Sequence, residues 1–154
     1  PNKYSEGIYV VPPVASSIVF LMMYSFFSIP EFFYNANKFS SVASTISAII
    51  NIGLNYVGII MFGYIAAGYT TMLCYMLLAV GHFLYAKKIV TQRGLPFFDD
   101  KQTYGIMALM VVITIVSSIL YRFVVIRGCI IAVLIIGLIV KRRNIINLIK
   151  NIKS

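Results

Sequence analysis

Apolar residues fill this chain in five long runs, roughly residues 7–28, 41–62, 63–86, 104–121 and 123–140, with almost no charge inside them. A hydrocarbon core about 30 Å thick takes about 20 apolar residues in helical form, close to the length of each run. Backbone N–H and C=O groups in lipid must pair within the protein, which leaves helices or closed barrels. Barrel strands alternate apolar and polar side chains, whereas these runs are continuous, as in Gly128-Cys129-Ile130-Ile131-Ala132-Val133. The pattern predicts an all-α membrane protein with five transmembrane helices.

The second run carries a polar stripe. Ser40, Ser44, Ser47, Asn51, Asn55 and Gly58 recur at helical spacing, and at about 100° per residue they share one narrow face. Lipid cannot satisfy such a face. It packs closely against another helix, lines a water-filled space, or does both. Ser44, Ser47, Asn51 and Asn55 are therefore candidate cavity-lining residues. Phe62-Gly63-Tyr64 reads as a tight corner that makes the second and third helices adjacent and antiparallel. Gly63, Ala67, Thr71 and Cys74 lie beyond it at small-residue spacing suited to a helix–helix contact.

Other signals mark the ends of runs. Pro12-Pro13 either starts the first helix or breaks it, because proline lacks the N–H and clashes with a preceding turn. Ile29-Pro30-Glu31 is expected to end that span. Phe32, Phe33, Tyr34 and Lys38 then suit the headgroup region. His82 invites a proton-relay reading as an ionisable residue near a membrane span, but no acid lies within a helical turn of it along the chain, and an interfacial position is expected. Residues 87–103 read as a solvated connection, with Asp99-Asp100 a charged turn before a helix.

Composition agrees with lipid. The apolar fraction is 60% and the mean hydropathy +0.92, against about 45–50% apolar in soluble domains. The net charge is +9, which in a soluble chain would point to nucleic acid. Here the basic residues sit at the ends of apolar runs, which excludes that partner. With the C-terminus in the cytoplasm, Lys38, Lys87, Lys88, Arg93, Lys101 and all five basic residues of the 141–154 tail are cytoplasmic. Lys3, Arg122 and Arg127 remain outside, so the positive-inside bias favours this orientation. Ile145, Ile146, Leu148, Ile149 and Ile152 interleave with the tail's cations, as in a segment lying on an anionic membrane face.

Candidate chemistry is sparse. Cys74 and Cys129 read as small buried hydrophobes. No metal-ligand spacing, cofactor motif or catalytic constellation is present in the sequence, and no enzyme is expected. Arg127, early in the fifth run, either snorkels outward or faces an internal path where it holds phosphate oxygens; Arg122 is its neighbour in that role. The chain opens at Pro1 and leads straight into a span, as the C-terminal piece of a longer membrane protein would.

Several stretches resemble the C-terminal half of bacterial polysaccharide flippases of the multidrug/oligosaccharidyl-lipid/polysaccharide exporter superfamily. They are Glu31-Phe32-Phe33-Tyr34 with Lys38, Ser41-Val42-Ala43-Ser44-Thr45-Ile46-Ser47-Ala48, Asn51-Ile52-Gly53-Leu54-Asn55-Tyr56, Phe62-Gly63-Tyr64-Ile65-Ala66-Ala67-Gly68-Tyr69-Thr70-Thr71, and a span closing on Lys87-Lys88. The resemblance covers over a third of the chain. It implies part of the C-terminal lobe of a two-lobe, MATE-like transporter, with the N-terminal lobe missing. It implies a polyprenyl-pyrophosphate-linked oligosaccharide as cargo, carried across a bacterial cytoplasmic membrane for capsule, O-antigen or exopolysaccharide assembly. A multidrug or cation antiporter of the same superfamily is the alternative; it would need carboxylates within its spans, and only Glu6 and Glu31 come near one, at the edges. A membrane-bound transferase would need a histidine beside an acid, for which His82 and Asp99-Asp100 are the candidates.

Overall fold

Four long helices account for most of the computed structural model, which describes residues 2–121 together with Phe123, Gly128, Ala132 and Ile136. A 3-10 segment, Asn2–Val10, leads into α1 (Val11–Phe33). Then come α2 (Asn37–Phe62), α3 (Ala66–Thr91) and α4 (Asp100–Leu120). Each of the four is long and apolar enough to cross a membrane; at about 1.5 Å per residue, even α4 reaches about 30 Å. The chain divides into two units, Pro1–Ser117 and Ser118–Ser154, and the packing below belongs to the first. Most of the expected fifth span, with Arg122, Arg127, Cys129 and the basic tail, lies outside the described residues.

Local chemistry fixes the helix ends. Pro12 and Pro13 occupy the first turn of α1, where a missing N–H removes no intrahelical bond, so the proline pair starts the helix. Pro30 does not end it. The helix runs on to Phe33 and closes on Asn35, which takes a left-handed φ of 56°. Ala36 N–H bonds Glu31 C=O at 2.7 Å and Asn35 N–H bonds Phe32 C=O at 3.1 Å, the paired closure of a Schellman motif. Asparagine tolerates this conformation better than other non-glycine residues. The first span is therefore longer than its hydropathy indicated, and α2 begins at Asn37 instead of Ser41. Gly94, with φ of 70°, closes α3 in the same way, with Leu95 N–H on Val90 C=O and Gly94 N–H on Thr91 C=O.

The corner between α2 and α3 turns on Gly63, whose φ of 79° and ψ of 179° suit glycine alone. The two helices are antiparallel neighbours, as expected. Their contacts run from Gly58 against Ala66 and Thr70, through Asn51 on Thr71, to Phe39 stacked on Tyr85 at 4.0 Å. α1 lies parallel to α3 in the broadest helix contact. Its meeting points rise together from Gly68 against Val10 and Pro13 to Phe27 on Phe83. Gly68 marks a close approach here, where a Cβ would meet Val10 at 3.0 Å. α4 is held to α1 by Ser16 and Thr114 at 2.6 Å and by Met107, which joins Phe20, Phe27, Ala79 and Phe83 in the core.

The 92–99 connection is shorter than the expected 87–103 loop, and it is not wholly solvated. Phe97 reaches the core cluster and meets Phe27 and Phe83. Asp99 caps α4 by accepting from Gln102 N–H at 3.0 Å, and Asp100 pairs with Lys87, which matches the charged-turn reading. The outer face of α2 exposes Val42, Ile46, Ile49, Ile60 and others. That apolar surface is compatible with hydrocarbon.

Candidate functional site: a polar seam among three helices

The α2 stripe turns inward, and its parts do different things. At its ends it packs. Ser40 and Gly58 are buried, and a Cβ at Gly58 would meet Thr70 at 3.2 Å and Ala66 at 3.4 Å. In the middle it lines a cavity of about 390 Å³ whose polar walls are Tyr24 of α1, Ser44, Ser47 and Asn51 of α2, and Tyr75 of α3. Packing positions and cavity-bordering positions thus fall on one helix.

Asn55 does not line this cavity; it joins a hydrogen-bonded network one turn beyond Asn51. Thr70 donates its hydroxyl to Asn55 Oδ1. Asn55 donates to Asn51 Oδ1 at 3.1 Å, and Asn51 donates to Thr71 Oγ1 at 3.4 Å. The four side chains form one directional chain across α2 and α3. Interhelical hydrogen bonds in membranes average about 0.6 kcal/mol each, so this network contributes little stability, but it fixes the rotation of α2 about its axis.

On the other side of Tyr24 lies a feature the sequence did not disclose. Glu31 and His82 are both fully buried, and His82 Nδ1 sits 2.8 Å from Glu31 Oε1. Both side chains are enclosed by protein. His82 has its acid, but across the helix pair instead of along its own helix. The Schellman closure places Glu31 in the last turn of α1, and the parallel course of α1 and α3 brings that turn level with His82. Two aromatic edges enclose the imidazole, Tyr24 at 4.6 Å and Phe39 at 5.4 Å between ring centroids. Glu31 Oε2 and His82 Nε2 are buried without a hydrogen-bond partner, an arrangement that destabilises a purely structural pair.

Tyr24 connects the two sites. Its ring lies against His82, its hydroxyl is 3.5 Å from Ser44 Oγ, and it lines the cavity. Cys74 is buried at the cavity wall, as expected of a small hydrophobe. Among the described residues no cluster of His, Cys, Asp or Glu could hold a metal ion. Asp99 and Asp100 are committed to helix capping and Lys87, so they do not join His82. The sequence held a usable signal for the pair it hid. Alternating spans put the far ends of the first and third on the same side of the membrane, which is where Glu31 and His82 sit.

No protein-family model, curated protein or solved structure matches the chain.

Proposed function

We propose that this chain is part of a membrane transporter that moves a polyprenyl-pyrophosphate-linked oligosaccharide across a bacterial cytoplasmic membrane, and that it is not an enzyme. The observation that carries this reading is the cavity walled by Tyr24, Ser44, Ser47, Asn51 and Tyr75 within helices of membrane length. Ser47 and Tyr75 border this cavity besides the groups that bond one another between the helices, and hydroxyl groups there suit a hydrated or hydroxylated occupant. Ser47, Cys74 and Leu78 also border a neighbouring apolar groove, of about 280 Å³, lined by Val42, Ile46 and Leu77. A sugar joined to a polyprenyl tail is a cargo that uses a cavity with hydroxyl and amide groups among its apolar lining, beside a predominantly lipophilic groove. The resemblance to polysaccharide flippases in residues 31–88 points the same way. On this reading a fifth span follows α4, the C-terminus is cytoplasmic, Arg122 and Arg127 supply cations for the pyrophosphate, and the partner is an N-terminal lobe that forms the opposite wall.

The test is export in cells. Asn51→Leu in the full-length protein should abolish polymer export and leave lipid-linked repeat units on the cytoplasmic side, with protein abundance unchanged. Normal export with both Asn51→Leu and Ser47→Leu present would remove the reading.

One observation favours a second reading, a cation antiporter of the same superfamily. Such a protein needs a carboxylate within its spans, and Glu31 lies inside α1, fully buried. Export of a fluorescent cation driven by a proton gradient, with polysaccharide export unaffected by deletion, would select it.

A further inference from the structure

We propose that Glu31 and His82 form a single proton-binding site, and that the Tyr24 ring is the wall separating it from the polar cavity. The inference stands whichever cargo the protein carries, and its test uses no transport readout.

The contact between Nδ1 and Oε1 at 2.8 Å requires one proton between two heavy atoms. With that proton alone, the pair is a carboxylate accepting from a neutral imidazole and carries one net negative charge. With a second proton it is neutral overall, either as a carboxylic acid donating to Nδ1 of an Nε2–H imidazole or as a carboxylate beside an imidazolium. A buried net charge without a counter-ion is the arrangement that burial disfavours most.

The surroundings supply little to offset it. From α1 the facing titratable group is Tyr24. From α2 the ring is met by Phe39, which follows Lys38 and stacks on Tyr85 of α3. Further along α3, Lys87 is engaged by Asp100 of α4, while Arg93 lies over the Tyr34 ring at 4.1 Å. From α4, Tyr104 meets Phe83, the residue after His82. The enclosed arrangement therefore holds the second proton. Oε2 and Nε2, buried and unpartnered, are the atoms through which it enters and leaves. Movement of Tyr24, which borders the cavity, exposes them to water, and the proton passes between the pair and that water.

His82 is the sole histidine of the chain, so its imidazole nitrogens can be followed without assignment. The full chain, labelled with 15N-histidine, is placed in lipid nanodiscs and its spectrum recorded across pH. At neutral pH Nε2 should carry a proton; on raising pH the ring should convert in one step to the neutral Nδ1–H form. In Glu31→Gln that step should vanish. Tyr24→Ala should speed deuterium exchange at Nε2 about tenfold, and Tyr24→Phe, which keeps the ring, should not. The wild-type spectrum decides even where a variant misfolds. An Nδ1–H neutral ring at every pH, or a ring that titrates like an exposed histidine, overturns the proton site. Equal exchange in Tyr24→Ala and wild type overturns the role of Tyr24.

Discussion

A single methyl group at position 68 measures how closely α1 and α3 approach. Built on Gly68, a Cβ lies 3.0 Å from Val10 Cγ1, 3.1 Å from Pro13 Cγ and 3.4 Å from the Val10 carbonyl oxygen. Two of these neighbours have little freedom: the proline ring is fixed in the first turn of α1, and the carbonyl is backbone. The helices must separate by a few tenths of an ångström along their broadest contact, and overpacking of this kind costs about 1–3 kcal/mol. Alanine returns about 0.5–1 kcal/mol through its helix preference. Gly68→Ala should therefore destabilise the protein by up to about 2.5 kcal/mol, centred on about 1 kcal/mol, the difference of those two effects. Gly53 supplies the control, since a Cβ there meets nothing within 4 Å and only the helix preference acts. Gly58→Ala, at 3.2 and 3.4 Å from two small side chains, should fall between them. Thermal unfolding in mild detergent, followed by circular dichroism, should rank Gly53→Ala above wild type and Gly68→Ala lowest, a few degrees below it. A Gly68→Ala protein that melts with or above Gly53→Ala would refute the close approach of α1 and α3.

Two further predictions concern α4. Thr114 donates to the Met110 carbonyl at 2.8 Å, so Ser16 must donate to Thr114 across the helix pair. A double-mutant cycle with Ser16→Ala and Thr114→Val should give a coupling of about 0.6 kcal/mol and no more than about 1.7, read from unfolding in detergent; zero coupling would place the two hydroxyls apart. Asp99→Ala removes the acceptor for Gln102 N–H and should lower stability by about 0.5–2 kcal/mol, with Asp99→Asn recovering most of it. Equal losses in the two variants would show that charge, and not the cap, is what matters there.

Hydropathy located the four described helices but not their ends, and the reason is physical. It marks the stretch that must sit in hydrocarbon, while a helix continues until its backbone finds another closure. At α1 that closure is Asn35, beyond Pro30; at α2 the helix starts at Asn37, in polar sequence. The stripe of Ser44, Ser47 and Asn51 was legible because a polar face on an otherwise apolar helix has to turn inward whatever it meets. Of its partners, Thr71 stood on the small-residue face expected to make a helix contact, whereas Tyr24, Thr70 and Tyr75 were not legible, because single polar residues scattered in apolar runs carry no period. The contact between Glu31 and His82 was hidden for a related cause. Read one helix at a time, an ionisable residue near a run's end belongs at the interface; only the parallel pairing of α1 with α3, a tertiary fact, closes the two on each other.

The claim on which the account turns is that the inner face of α2 meets water inside the membrane while its outer face meets lipid. Single cysteines at Ser47, Asn51, Ile49 and Ile60, in a background with Cys74→Ala and Cys129→Ala, can be challenged in intact membranes with a charged, membrane-impermeant thiol reagent applied from each side. Ser47→Cys and Asn51→Cys should react from at least one side, and Ile49→Cys and Ile60→Cys should stay unmodified. Labelling at Ile49 with none at Ser47 or Asn51 would contradict it.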